Sequence, residues 1–185
     1  MNAALDGAIL VFREGGYHAT SVADLCFAMQ LTPGSIYKAF SDKRAIFLAA
    51  FERNTILCIG ALRELLAKEA TGANKIRAVL SFYAESSHGS EGRRGCLVTG
   101  SAMALATFDE EMAAQVQASL QRVEHLLMDL VRLGQADGSI TEKIDIDATA
   151  RTLQCLLQGF RVIGKLGRTR TEMMAAVNEA MRLLS

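Results

Sequence analysis

One proline in 185 residues constrains this chain more than any other feature. Proline removes a backbone donor and locks φ. A chain with a single one leaves long stretches free to close N–H to C=O bonds four residues back. Alanine, leucine, methionine, arginine and glutamate dominate, and β-branched residues never accumulate in alternating runs. Helix formers without a period-two pattern exclude a sheet protein. Half the residues are hydrophobic, enough for a substantial core and too many for a disordered chain. The length falls between one large domain and two small ones. The expected class is all-α.

Several functions are excluded next. Formal net charge is zero, so any basic footprint for nucleic acid is local. Cys26, Cys58, Cys96 and Cys155 form no C-x-x-C pair, which fits a reducing compartment better than a disulfide framework or zinc site. No uninterrupted apolar run approaches the roughly 18 residues that span a bilayer, and no signal-like core follows a basic flank. The expectation is a cytoplasmic chain with no membrane partner. No nucleophile–base–orienter set, phosphate loop or metal motif is present, so neither enzyme activity nor a cofactor is expected. His125 lies four residues before Asp129, a pair read as a surface interaction and not a metal site. Asp109-Glu110-Glu111 complements a helix dipole.

Along the chain, Leu5, Ile9 and Phe12 repeat at helical spacing until Gly15-Gly16. Ser21-x-x-Asp24 has the form of a capping box and opens a short helix with Val22, Leu25 and Met29 on one side. Thr32 caps the next helix, with Pro33 in its first turn and Ile36 inside. Ser41 is expected to cap a long fourth helix from about Lys43 to Ala70. A break at residues 71–74, another helix to about Ser87 and a Gly/Ser-rich loop from His88 to Gly95 follow. Further helices are expected at 96–106, 109–135, 145–166 and 171–184, which makes about nine in all.

Residues 20–40 thus form two short helices joined by a tight turn and buttressed by the helix before them. This is helix-turn-helix geometry, whose second helix enters the major groove. Thr32, Ser35, Tyr37 and Lys38 are the exposed candidates, because hydroxyls and an ammonium bond phosphate oxygens and base edges. Gly34 lets a duplex approach, and Lys43 adds a cation at the next helix N-terminus. In G-Y-x-x-T-S-V-x-D-L (residues 16–25) and I-Y-x-x-F-x-D-K (residues 36–43) the chain resembles the tetracycline-repressor (TetR) family of bacterial transcription regulators, over Leu5 to about Phe51. The resemblance implies that Thr20, Thr32, Pro33, Gly34, Ser35, Tyr37, Lys38 and Lys43 form the DNA-binding surface. Tyr37 and Lys43 would contact backbone, Ser35 and Lys38 bases. Two departures stand out. Gln30 occupies a turn position that is usually glycine, and no basic N-terminal arm precedes the first helix. From Met1 to Arg53, five cations balance five anions, so non-specific affinity and salt dependence are expected to be modest.

The resemblance also implies two domains: a helix-turn-helix domain over 1–45 and a helical ligand-binding and dimerisation domain over 46–185. RRGCLVTGSAMAL and LLQGFRVIGKLG look like one common branch of the latter, an RGCL type. Phe82, Tyr83, Cys96, Met103, Phe108, Met112 and Met128 are candidates to line a pocket for a small hydrophobic or electrophilic effector. The last two helices would pair with their symmetry mates in a homodimer through Leu153, Leu156, Leu157, Gly159, Phe160, Ile163, Val177 and Met181. The implied function is a repressor that binds a palindromic double-stranded DNA operator as a dimer and is released by its effector. An alternative makes Cys96, beside Arg93 and Arg94 at a helix start, a thiolate sensor of oxidants or electrophiles. A second is a helical adaptor that grips protein instead of DNA.

Overall fold

The computed structural model describes residues 1–104 and 109–185, with the side chains of Met103 and Ala104 left aside. Among the described residues the chain is all-α: α1 (Asn2–Ala19), α2 (Val22–Met29), α3 (Pro33–Ala39), α4 (Lys43–Leu66), α5 (Gly72–Glu85), α6 (Gly89–Arg94), α7 (Leu97–Ala104), α8 (Glu110–Ala136), α9 (Ile146–Gly164) and α10 (Arg170–Met181), then a 3-10 turn at Arg182–Leu184.

Local chemistry sets most boundaries. Ser21 and Asp24 cap α2 reciprocally. Thr32 accepts the Ser35 N–H ahead of α3, with Pro33 in the first turn. Thr71 and Asp145 cap α5 and α9, and a Thr169–Glu172 capping box opens α10. Each satisfies donors that a helix start leaves orphaned. The glycine pair does break α1: Gly16 sits at φ +74° and ψ 170°.

Three boundary expectations are corrected. The cap of α4 is Asp42, not Ser41, since Asp42 Oδ1 accepts the Ala45 N–H at 2.8 Å; a carboxylate also complements the helix dipole there. Helix α4 ends at Leu66 instead of Ala70, and Lys75 Nζ donates to the terminal Leu66 carbonyl at 2.9 Å. The stretch after His88 holds a helix, α6, bounded by Gly89 and Gly95 at positive φ, and the glycine between them is not a loop signal. A Cβ on Gly92 would lie 2.6 Å from the Ser87 carbonyl carbon, so Gly92 serves close packing.

Gln30 adopts the left-handed conformation, φ 54° and ψ 41°, and its N–H closes the end of α2 on Cys26 and Phe27. That geometry favours glycine. Gln30→Gly is therefore expected to stabilise the fold by roughly 0.5–1 kcal/mol, the relieved strain exceeding the added freedom of the unfolded chain. Urea unfolding checks it: the midpoint should rise with an unchanged slope.

By contacts the chain groups into two compact units. The first comprises Met1–Ile59 and Arg94–Val116. Its core joins Phe12, Leu25, Met29, Ile36, Ile46, Phe47, Ala50 and Phe51, with Phe12 and Phe47 edge to face at 4.8 Å. Helix α1 packs on α2 so closely that a Cβ on Gly7 would lie 2.1 Å from the Ala28 carbonyl oxygen. The second unit comprises Gly60–Arg93 and Gln117–Ser185. Leu80, Leu127, Val131, Leu153, Leu157 and Val177 are sealed in its core. Gly72 meets the Gly134 backbone there, where a Cβ would come within 2.2 Å of the Gly134 nitrogen.

By length and composition α4 is apolar enough to cross a bilayer, although Glu52 and Arg53 interrupt its apolar run. In this fold Ile46, Phe47, Ala50 and Phe51 are committed to the first unit's core. Arg53 Nε and Nη2 hold both oxygens of Asp6, at 2.6 and 2.7 Å.

Candidate nucleic-acid interface

Helix α3 is short and one-sided. Ile36 is buried and anchors it, whereas Thr32, Pro33, Gly34, Ser35, Tyr37 and Lys38 are all exposed. Tyr37 is 58% exposed, which leaves its ring and hydroxyl open to a partner. The Thr32 hydroxyl accepts the Ser35 N–H at 3.2 Å and lies 2.9 Å from the Ser35 hydroxyl. Each hydroxyl retains capacity for an outside partner. A Cβ on Gly34 would meet nothing within 4 Å. Internal packing therefore does not demand glycine there, and its effect is a low surface at the helix start.

Two expected contacts are placed otherwise. Thr20 is only 3% exposed, and its hydroxyl donates to the Gly16 carbonyl at 2.7 Å. The break at Gly16 frees that carbonyl from the helix, and the Thr20 side chain satisfies it instead of facing outward. Lys43 is half-buried. Its ammonium donates to the Tyr17 and Thr20 carbonyls, both at 3.0 Å, and sits 4.5 Å from the Tyr17 ring centroid. Two of its three donors are spent on closing the α1–α2 loop. Burial raises the pKa of Tyr17, with the nearby Asp42 charge acting in the same direction.

The remaining cations of this segment are mostly engaged. Arg13 donates to the Gly95 carbonyl at 2.8 Å, and Arg53 is bound to Asp6. Arg44 grips both oxygens of Asp109, at 2.6 and 2.8 Å, and Glu111 at 2.7 Å. The Arg44 hydrogen bonds, helped by the Met112 N–H, hold the Asp109 carboxyl well below the usual carboxylate range. Lys38 is the one cation of the five with no hydrogen bond or ion pair among the described residues. The Arg44–Asp109 pair links residues 65 apart, and no local pattern announces it.

The other candidates separate. Phe82, Tyr83 and Met128 are half-buried against the second unit's core, with the Phe82 and Tyr83 rings edge to face at 5.8 Å. Met112 is buried in the first unit, and Cys96, half-buried, precedes α7 there. Phe108 and the Met103 side chain lie outside the described residues. Of the expected dimer residues, Leu153, Leu157, Phe160 and Val177 lie instead on the inward stripe of α9 and α10, sealed within their own chain's core. Ile163 is exposed, and Leu156, Gly159 and Met181 are half-buried. Asp129 pairs with Arg132 at 2.9 Å instead of with His125.

Comparison with known proteins bears on the whole chain. Residues 4–50 match the family model for bacterial regulatory proteins of the tetR family, and residues 72–180 match the tetracyclin repressor-like C-terminal domain. The HTH-type transcriptional repressor ComR of Escherichia coli K12 is 26% identical over 184 residues, spanning 98% of this chain and 87% of that one. The HTH-type transcriptional regulator UidR of the same strain is 23% identical, over 84% of this chain and 76% of its own. Among solved structures, a cysteine mutant of the TetR family regulator CifR in complex with 26-base-pair double-strand operator DNA aligns with a TM-score of 0.88 at 26% identity, covering 100% of this chain and 96% of that one.

Proposed function

Because the chain belongs to the tetR family of bacterial regulatory proteins, we propose that it is a cytoplasmic transcriptional repressor that binds a palindromic operator as a homodimer and leaves it when a small hydrophobic or electrophilic molecule binds. In this reading residues 1–45 are the DNA-binding domain, and residues 46–185 hold the effector and the partner subunit. The observation that carries it is α3, with one buried anchor, Ile36, and six exposed residues of the types that suit a duplex groove.

Dimerisation is assigned to the outward face of α9 and the turn that follows Gly164. Cys155, Gly159, Val162 and Leu166 recur at alternating spacings of four and three. Cys155, Val162 and Leu166 are exposed, and a Cβ on Gly159 would meet nothing within 4 Å. An apolar seam of that period suits pairing with a symmetry mate. Helix α4 contributes residues to both units. An effector that favours one setting of α4 would shift operator affinity, by about 1–3 kcal/mol for couplings of this kind.

Selection of bound duplexes from a random-sequence pool tests the reading. The expected product is a palindrome whose half-site centres lie about 34–36 Å apart, or a multiple of that. A purified dimer that enriches no sequence at low salt would overturn it.

A further inference from the structure

Arg161 is a buried cation, 9% exposed, on α9 in the second unit. Its Nη1 donates to the Ser86 carbonyl at 3.0 Å and to the Ser86 hydroxyl at 2.8 Å, with the Ser87 hydroxyl at 3.5 Å. Its Cζ lies 4.6 Å from the Tyr83 ring centroid. These contacts seat the guanidinium at the C-terminal end of α5, where helix carbonyls carry partial negative charge, and on an aromatic face. They hold the charge without neutralising it.

The other edge of the group is unpartnered. Nε is buried with no hydrogen bond, and Nη2 forms none among the described residues. Elsewhere in this chain that same edge binds carboxylates. Arg44 presents Nε and Nη2 to Asp109, Arg53 to Asp6, and Arg170 to Glu85. Nε with Nη2 makes the planar fork that fits two carboxylate oxygens. Nε is a donor sealed from water with no acceptor among the described residues, a costly arrangement unless an anion completes the fork. On the same face of α9, seven residues earlier and about 10 Å along the axis, Gln154 Oε1 is also buried without a partner among the described residues, while its Nε2 donates to the Leu120 carbonyl. It calls for a donor such as a hydroxyl.

We propose that Arg161 is the anion receptor of the effector site: its Nε–Nη2 edge takes the carboxylate of a small apolar acid at the end of α5. This rests on the effector-responsive reading above and names the effector's chemical class.

The test titrates the full-length dimer, by calorimetry and by melting, with matched sets of an aryl or alkyl monocarboxylate, its primary amide and the corresponding phosphate monoester. Operator binding is measured first without any compound. Members of the carboxylate series should raise the melting temperature and lower operator affinity. Their amides should bind about tenfold more weakly or worse, because a charge-assisted pair is lost. Phosphates that bind more tightly than the carboxylates would overturn the proposal, because the fork accepts two phosphate oxygens as readily as two carboxylate oxygens. Arg161→Lys keeps the charge and loses the fork, and should weaken carboxylate binding about tenfold as well. The amide comparison uses the native chain, so a poorly folding variant does not decide the outcome. Amides that bind as well as acids, a series that leaves melting unmoved, or acids that bind without changing operator affinity would each overturn the proposal. Failure of operator binding in the absence of compound would instead sink the regulator reading.

Discussion

Replacing Tyr37 and Lys38 together by alanine should reduce operator affinity about a hundredfold while leaving the dimer folded, given the loss usual for groove and phosphate contacts. Both side chains are exposed, so their removal opens no cavity, and surface substitutions of this kind usually change stability by within about 0.5 kcal/mol. Ile36, between Pro33 and Tyr37, keeps α3 attached. Lys38 is also the one cation of the five from Met1 to Arg53 that is unengaged among the described residues. Its loss should flatten the dependence of log affinity on log salt by about one unit. Fluorescence anisotropy across a salt series measures both effects, with sedimentation checking the dimer. An affinity unchanged by the double substitution would transfer the interface away from α3 and favour the protein-binding alternative. Lys43 makes a poorer probe, because its ammonium bridges the Tyr17 and Thr20 carbonyls and its removal would loosen the α1–α2 loop along with any phosphate contact.

Gly7→Ala is expected to be the most damaging single methyl in the first unit. The new Cβ would lie 2.1 Å from the Ala28 oxygen and 2.7 Å from its carbonyl carbon. Both are backbone atoms, so relief requires α1 and α2 to move apart as bodies. Overpacking of a tight contact costs about 1–3 kcal/mol, and a backbone neighbour puts this case near the upper end. Separation of α1 from α2 would also displace α3, which packs on α2 through the buried Leu25, Met29 and Ile36. Operator affinity should therefore fall along with the urea midpoint, although Gly7 lies outside the proposed DNA surface. Gly34→Ala is the control, because its Cβ would meet nothing within 4 Å; stability should be kept. A Gly7→Ala chain as stable as the parent would remove the close crossing.

Much of the site was legible from sequence because its signals are local. The Ser21–Asp24 box, the Thr32 cap followed by Pro33, and Ile36 as the single inward residue of α3 all depend on neighbours within four positions. What misled was also physical. Thr20 reads as an outward hydroxyl until the break at Gly16 supplies a carbonyl for it. Leu153, Leu157 and Phe160 share a helical stripe, but periodicity alone does not tell a stripe facing the chain's own core from one facing a partner. Glycines were the least readable. Gly92 looked like loop composition and is packed against Ser87, whereas Gly16 does break its helix.

By itself the amino-acid sequence determined the all-helical class, most helix starts, and a short exposed helix carrying Tyr37 and Lys38, since caps, propensity and period act over one or two turns. Only the tertiary structure decided which charges are free and which helices touch. Arg44 reaches Asp109, Arg161 reaches Ser86, and Gly7 admits Ala28 across separations of 65, 75 and 21 residues. Such contacts are made by the packing of whole helices, and no short window of sequence contains both partners.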